Sequence, residues 1–214
     1  VHGMTGFASL SDLIAEATAN GKKQVLPFDQ VGTTGVVSVC NHTWGVGPIP
    51  VAGAAAAAPP GGTVPVRTTG GALGQQDPGG TDTLHITGMV ALSTQIGTIM
   101  LFDKLFATTT AANPGTGSIA VTGAQTRYTG AAGTLEYAAG NVITNRVTVV
   151  LPATAHNIPY TYTDQDNNAG ASSGAMAGRA SAAVNQTDLA VGVWCAGLAA
   201  GDTGVRQLTA IQFS

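Results

Sequence analysis

The first hydrophobic pattern along the chain has helical spacing. Apolar residues recur on one face at Leu10, Leu13, Ile14 and Ala17. Ser9 or Ser11 can cap the start of this helix, and Asn20–Gly21 is a typical helix end. The pattern therefore predicts one short helix within residues 1–23, and its single apolar stripe must dock on another surface.

The remainder of the chain has the pattern of a β protein. Short runs rich in Val, Ile, Thr and Tyr are separated by turn residues, and the chain contains 30 Gly and 10 Pro. The polar stretch from Asp164 to Gly174 predicts a flexible loop. The predicted strands are Gly35–Cys40, Thr83–Leu92, Ile96–Leu101, Gly133–Tyr137, Asn145–Leu151, Ile158–Thr163, Leu189–Cys195 and Val205–Phe213.

Residues 45–80 interrupt the alternation of strands and turns. They have almost no hydrophobic period and contain Ala54–Ala58, Pro59–Pro60 and Gly61–Gly62. A structureless stretch of this length is unusual inside a compact domain. We therefore expect an extended arm or long loop whose small apolar residues lie on adjacent subunits.

These patterns predict three regions and one fold class. The regions are an N-terminal helical segment (1–23), strands plus the extended arm or loop (24–82), and a β-sandwich domain (83–214). The expected class is mainly β, with a β-sandwich or jelly-roll-like domain, one short N-terminal helix and an extended Gly/Ala/Pro-rich arm or loop.

Charged residues are scarce. Asp, Glu, Lys and Arg make up 9% of the chain, whereas they make up about 25% of an average soluble protein. A surface with so little charge tends to associate, so either neighbouring subunits cover much of it or Thr, Ser, Asn and Gln carry the solvation, and the sequence supports both. The net charge of −3 and the scattered arginines argue against nucleic-acid binding. The apolar stretch Met89–Phe106 is too interrupted by polar residues to span a membrane.

The strongest candidate for metal binding is a run of oxygen donors in the predicted loop. Asp164, Asp166 and Asn168 alternate as they do at the start of a calcium loop. However, Ala169 and Ala175 stand where an EF-hand requires glycine and glutamate. A solvated hairpin loop is the favoured interpretation, because Asp and Asn are ordinary turn residues. A cation site of another kind is the alternative.

Motifs for catalysis are incomplete. The segment Gly170–Gly174 matches G-x-S-x-G, but a hydrolase of that type needs a strand-to-helix elbow followed by an acid and then a histidine. Here the last histidine, His156, precedes the segment. The four histidines have no metal-ligand spacing. The sequence therefore predicts no catalytic residues, no cofactor-binding residues and no cofactor.

The two cysteines, Cys40 and Cys195, lie far apart in the sequence. A disulfide between them is geometrically open, because sequence distance does not determine spatial distance. Two buried thiols are the favoured interpretation for a protein made in a reducing cytosol, and no secretory signal opens the sequence.

Several stretches, in this order, resemble a known group of proteins. They are Leu101–Ala107, Arg127–Gly130, Tyr160–Asp166 and Leu198–Arg206. With them, residues 83–214 resemble virion structural proteins of tailed bacteriophages. In the last stretch, Asp202–Gly204 predicts a tight turn with positive φ at Gly204 and with Asp202 accepting backbone hydrogen bonds. Arg206 is expected to pair with Asp202 or with an acid of a neighbour.

The resemblance implies a non-enzymatic role on the phage head as a decoration, or cement, protein. Such a protein is made in the cytoplasm of the host bacterium and binds to the capsid surface of the virion. Its expected partners are further copies of itself, in a trimer or another symmetric homo-oligomer, and the major capsid protein. No catalytic residue carries over.

Three other functions are open at this point. The chain is an alternative candidate for another virion subunit, such as a major capsid, neck, tail or fibre protein. The absence of a long predicted helix argues against the major capsid protein. A β-sandwich module that binds glycans or surfaces is the second, although aromatic residues make up only 5% of the chain. A β-sandwich hydrolase is the third, and it lacks an assembled set of acids or nucleophile.

Overall fold

The computed structural model describes residues 9, 11, 57–65, 104–109, 117–125, 141–184, 186–190 and 192–214. By its contacts the chain falls into two units, Val1–Phe28 with Leu73–Asp103, and Asp29–Ala72 with Lys104–Ser214. Ser9 and Ser11 belong to the first unit, where both are exposed and Ser11 is helical. All other described residues belong to the second unit.

Several sequence predictions concern residues outside this part of the chain. Apart from Ser9 and Ser11, the predicted N-terminal helix is among them. So are Cys40, His2, His42 and His85 and the predicted strands Gly35–Cys40, Thr83–Leu92, Ile96–Leu101 and Gly133–Tyr137.

The described residues form one antiparallel sheet of four strands. The strands are β1 (Gly117–Ala120), β2 (Tyr160–Asp164), β3 (Ala171–Ser172) and β4 (Val205–Phe213), in the order β1-β4-β2-β3. For the described part of the chain the prediction of a mainly β fold is confirmed, and the predicted strand Val205–Phe213 has its predicted bounds. The predicted strand Ile158–Thr163 forms β2, which begins at Tyr160. Within the described ranges, no helix is long and apolar enough to cross a membrane.

The core lies on the side of the sheet where β2 and β4 present their apolar residues. Ile211 of β4 is the register partner of Ile119 in β1 and of Tyr160 in β2. Burial of each large apolar side chain contributes about 1.5–3 kcal/mol. The buried cluster consists of Val121, Ile158, Tyr160, Ala196 and Ile211, with Phe106, Ile143, Met176, Leu208 and Phe213 packed against it.

Strand β4 is bulged where it pairs with β2. The register of the pairing shifts twice, so Thr209 and Arg206 of β4 have no register partner in β2. The Thr209 carbonyl instead accepts a hydrogen bond from the Val121 backbone N–H at 2.8 Å. A bulge of this kind bends a strand and redirects its backbone groups. Strand β4 therefore bonds both to β2 and to the segment that follows β1.

A buried glutamine continues the sheet where β1 has ended. The Gln125 side-chain amide donates to the Leu208 carbonyl at 2.7 Å and accepts from the Leu208 N–H at 2.9 Å. A primary amide offers the same donor and acceptor as a peptide group. Gln125 thus takes the place of a neighbouring strand at this position of β4.

Two predicted strands, Asn145–Leu151 and Leu189–Cys195, are wrong. Val147 and Leu151 donate backbone hydrogen bonds to the carbonyls of Gln186 and Ala182, but these two bonds are too widely spaced to form a ladder. In the second segment, a turn runs from Ala190 to Val193, with Gly192 at φ 85°. In these segments Val147 and Leu189 are buried without strand pairing, whereas Val149, Val150 and Val193 are exposed.

The stretch from Asp164 to Gly174, predicted as a flexible loop, contains a hairpin. Strand β3 lies within it and pairs with Thr161 and Tyr162 of β2. Asn167 and Gly170 have positive φ, 71° and 82°, which lets the chain reverse between the two strands. The loop is therefore short and hydrogen-bonded. Strand β1 was also not predicted, because it has four residues and Ile119 is its one large apolar side chain.

Part of the predicted arm lies on its own chain. Thr63 forms an antiparallel bridge with Ala107, with N–H···O distances of 2.7 and 2.9 Å. The Pro60 carbonyl accepts from the backbone N–H groups of Thr122 and Gly123 at 2.7 and 2.9 Å. Residues 57–65 are therefore hydrogen-bonded to their own chain, and the expected contact of the arm with adjacent subunits stays a prediction. The remainder of that stretch lies outside the described residues.

We predict that Gln125→Ala lowers the free energy of unfolding by about 2 kcal/mol or more, because it leaves the backbone donor and acceptor of Leu208 without their partner. Gln207→Ala on the same strand is the matched control. The Gln207 side chain makes no hydrogen bond among the described residues, so its removal should cost much less. Urea unfolding of both variants measures the difference. Equal losses would contradict the assigned role of Gln125.

Candidate functional site

Polar side chains gather in three places around β2. We name them the Asp164 loop, the Tyr162 junction and the Asp188 network. Five of the buried polar residues belong to these places or adjoin them: Thr163, Asp164, Gln186, Thr187 and Asp188. A buried polar group is costly unless it is hydrogen-bonded, so the partners of each group show what it does.

The Asp164 loop holds the three residues of the predicted cation site. Asp164 Oδ1 accepts from the backbone N–H groups of Asp166 and Asn168 at 2.9 and 2.8 Å, and Oδ2 accepts from Asn168 Nδ2 at 2.8 Å. Asp166 Oδ2 accepts from Gln165 Nε2 at 2.9 Å. Both oxygens of Asp164 thus face N–H donors of its own loop, in the manner of an Asx turn. The geometry favours the hairpin interpretation.

Ionisation of Asp164 is coupled to this turn. Burial of the carboxylate opposes its charged form, but the hydrogen bonds from Asn168 and Asp166 outweigh burial and hold the pKa of Asp164 below its ordinary value of 3.8. The Asp164 carboxylate therefore stabilises the folded chain at pH values above its ordinary pKa. This stabilisation is lost as the pH falls through the lower pKa of the folded state.

The Tyr162 junction joins two of the sequence stretches described above. The Tyr162 hydroxyl, on a fully buried side chain, donates to Asp202 Oδ2 and accepts from the Ala199 N–H, both at 2.7 Å. Gln165 Oε1 accepts from the backbone N–H groups of Thr203 and Gly204 at 2.9 and 3.2 Å. These hydrogen bonds join two stretches that lie about forty residues apart in the sequence. All the donors are neutral, and one of the acceptors is a carboxylate.

The turn in the second of these stretches differs from the prediction. It runs from Ala199 to Asp202, and Gly201, at φ 97°, takes the positive-φ position that was expected at Gly204. The Asp202 carboxylate was expected to accept hydrogen bonds from backbone N–H groups, but it accepts one from the Tyr162 hydroxyl. Gly204 is buried and extends toward β4. Arg206 is half-buried in the second bulge of β4.

The Asp188 network was not predicted from the sequence. Asp188 Oδ1 accepts from the Arg179 backbone N–H at 2.7 Å, and both carboxylate oxygens contact His156 Nε2, at 2.9 and 3.1 Å. The Asp188 backbone is held by Asn145, whose amide donates to the Asp188 carbonyl at 3.2 Å and accepts from its N–H at 2.8 Å. Asn145 Nδ2 also donates to the Tyr160 hydroxyl at 3.0 Å.

A second part of this network holds the loop around Arg179. The guanidinium of Arg179 donates to Gln186 Oε1 at 2.8 Å, and the same oxygen accepts from the Ala183 N–H at 3.0 Å. Gly178 lies beneath the imidazole of His156, where a Cβ atom would overlap the ring. Residues 178–184 and 186–188 are thus fixed by side chains, and they contain no helix and no named strand.

The pKa values of the two tyrosines of β2, of one lysine and of one arginine are shifted. Burial raises the pKa of Tyr160 and, together with Asp202, raises the pKa of Tyr162. Burial, and secondarily the charge of Arg146, lowers the pKa of Lys104 to about 8. Burial also lowers the pKa of Arg146. These shifts follow from removing the charged forms from water.

The residues considered for catalysis do not come together. Ser172, the central residue of the G-x-S-x-G match, lies in β3, where its hydroxyl accepts from the Gly174 N–H at 3.2 Å. It is therefore not on a strand-to-helix elbow. The neighbouring Ser173 hydroxyl accepts from the Tyr160 N–H at 2.8 Å. His156 is engaged at both ring nitrogens. Among the described residues, no three His, Cys, Asp or Glu side chains group as metal ligands.

No family model, no curated protein and no solved structure matches this chain. The functional argument therefore depends on the contacts described above and on the sequence. In all three places the polar atoms are directed at other atoms of the chain. The arrangement holds loops in place.

We predict that Asp164→Ala lowers the melting temperature by several degrees, because three hydrogen bonds that hold the hairpin turn are lost. Asp166→Ala is the matched control, since it removes one exposed contact and should have little effect. The difference between wild type and Asp164→Ala should shrink as the pH falls below the ordinary carboxyl pKa. Calcium should leave all melting temperatures unchanged. A calcium-dependent increase in the wild type alone would contradict the turn interpretation.

We also predict that Tyr162→Phe lowers the free energy of unfolding by about 2 kcal/mol, since it removes two hydrogen bonds, one of them to a carboxylate. Tyr160→Phe is the comparison: it removes one hydrogen bond, and Asn145 keeps its contact with the Asp188 carbonyl, so the loss should be about 1 kcal/mol or less. Chemical denaturation of both variants gives the order. The reverse order would show that Tyr162 does not join the two stretches.

Proposed function

We propose that this chain is a structural subunit of a tailed-phage virion that binds and stabilises the capsid as a decoration, or cement, protein. It acts on the capsid surface as a homo-oligomer, with a trimer as the expected form, and its partner is the major capsid protein. It is made in the cytoplasm of the host bacterium and has no catalytic site and no cofactor.

The observation that carries this proposal is a set of exposed valines on a chain with few charges. Val149 and Val150 are 67% and 61% exposed, and Val184 is 45% exposed. Their segments are joined by hydrogen bonds, including one from the Leu151 N–H to the Ala182 carbonyl. We call Val149, Val150 and Val184 the valine surface. A contiguous patch of exposed apolar side chains is typical of protein contact sites, and we propose that these three valines form one.

The polar contacts of the fold support a structural role. Tyr162, Gln165 and Asp202, from two of the stretches that resemble virion proteins, hydrogen-bond within the chain. Both ring nitrogens of His156 contact oxygen atoms of the chain, Nδ1 the Thr154 carbonyl and Nε2 the Asp188 carboxylate. The described polar residues thus serve the fold.

The proposed architecture of the whole domain is a β-sandwich or jelly-roll-like fold. It is supported by an antiparallel sheet that buries Tyr160 and Ile211 against Val121, Ile158 and Ala196. An antiparallel sheet with an apolar face of this kind packs on another layer. In this proposal the valine surface, outside the core cluster, is available to a neighbouring subunit.

Binding to isolated capsids that lack this subunit tests the function. We expect cosedimentation that changes little between low and moderate salt, because few charges are there to be screened. Val149→Thr with Val150→Thr should weaken binding by about tenfold, because methyl groups at the contact are replaced by hydroxyls. The matched control is Val142→Thr with Val193→Thr, two less exposed valines outside the valine surface.

Equal binding by the two double variants would remove the valine surface from the proposal. No sedimentation with any phage capsid, or binding abolished by moderate salt, would contradict the decoration role. Melting temperatures of both double variants establish that they are folded before binding is compared.

A further inference from the structure

The imidazole of His156 is placed between two acceptors. Nδ1 lies 3.1 Å from the Thr154 carbonyl oxygen, and Nε2 lies 2.9 Å from Asp188 Oδ2. A neutral imidazole has one N–H, whereas the imidazolium has two. In the neutral ring, one nitrogen lone pair would therefore face an oxygen atom. In the charged ring, each of the two N–H groups has an acceptor.

This arrangement ties together segments that no regular secondary structure joins. His156 is 22% exposed at its side chain and Asp188 is 8% exposed, so solvent reaches the ring while the carboxylate is buried. The Gly178 N–H donates to the His156 carbonyl at 2.8 Å, and the Ser181 N–H donates to the Pro152 carbonyl at 2.9 Å. The imidazole adds its side-chain contacts to this backbone connection.

We propose that His156 and Asp188 form a protonation-dependent latch, which fixes residues 178–184 and 186–188 against residues 145–156 when the ring is charged and loosens them when the ring is neutral.

The charged and titratable groups that face His156 and Asp188 determine whether the latch closes as the pH falls or as it rises. Asp188 is the acid in contact with the ring. Arg179 contributes its backbone N–H to Asp188 and directs its guanidinium to Gln186 Oε1. Tyr160, whose ionisation burial opposes, reaches the network through Asn145. On the other elements, Thr154 offers a carbonyl oxygen and Gly178 its backbone, and neither carries a charge.

The pH range follows from the same contacts. Burial of the ring opposes its charged form, but the hydrogen bonds to Asp188 and Thr154 and the charge of Asp188 outweigh burial and raise the pKa of His156 above its ordinary value of 6.5. The stabilisation is therefore complete below the ordinary pKa and is lost as the pH rises through the raised pKa. The latch is closed in mildly acidic solution and open in alkaline solution.

The latch also bears on the valine surface, and this consequence rests on the proposed function. Val149 and Val150 lie in one of the two segments that the latch joins, and Val184 lies in the other. The hydrogen bond between Leu151 and Ala182 links the segments next to these valines. Loosening of residues 178–184 and 186–188 would thus disorder the surface proposed to contact the capsid.

Hydrogen exchange of the isolated protein tests the latch without any capsid. The informative amides are those of Ser181, Ala182 and Gln186, and the amides of Tyr162 and Ile211 in the sheet are the reference. After correction for intrinsic exchange, we expect opening at the first set to rise severalfold from about pH 5.5 to about pH 8.5, a range around the ordinary histidine pKa. The reference amides should not show this rise.

His156→Gln is the matched variant, because its neutral amide donates at every pH. In this variant we expect the rise between the two pH values to disappear. An NMR titration of the wild-type imidazole, which requires no variant, should give a pKa above the ordinary value. A pKa at or below that value, or an equal rise in the variant and the wild type, would overturn the latch. These measurements use no capsid, so they can support the latch when capsid binding fails. They can also contradict the latch when capsid binding succeeds.

Discussion

The antiparallel pairing of β2 with β4 is the interaction on which the other described contacts depend. It places Tyr160 and Ile211 as register partners in the core. It also brings Tyr162 and Asp164 to the end of the sheet where the Tyr162 junction and the Asp164 loop form. The bulges of β4 allow Gln125 and the segment after β1 to bond along its other side. The partners of Gln125 and of the Tyr162 hydroxyl lie in β4 or just before it, so these hydrogen bonds depend on the pairing.

A chain with 9% charged residues has to satisfy its buried polar atoms mainly with neutral groups. The structure does so with side-chain amides and hydroxyls that contact the backbone, as at Gln125, Asn145 and Gln165. The acids in the described clusters, Asp164 and Asp188, are likewise directed at N–H donors of the chain. Few charges therefore remain to solvate the surface, and exposed valines are the consequence that we connect to assembly.

The sequence predicted the sheet better than it predicted the contacts beside it. Strand β4 and most of β2 were found, since β-branched and aromatic residues there also pair with neighbours. Asn145–Leu151 has a similar composition, but its partner segment contains turns, and local composition does not reveal that. The Asp188 network and Gln125 join residues distant in sequence, so no local pattern indicates them. The predicted oxygen donors Asp164, Asp166 and Asn168 do come together, in a turn whose donors are backbone amides.

The central claim is that this charge-poor chain forms an assembly through its apolar surface. Light scattering of the purified protein at several concentrations, with and without isolated empty phage capsids, tests this claim most directly. The account predicts a homo-oligomer of defined mass that persists in moderate salt and a capsid that gains mass when the protein is added. A monomer at every concentration, together with a capsid of unchanged mass, would contradict it.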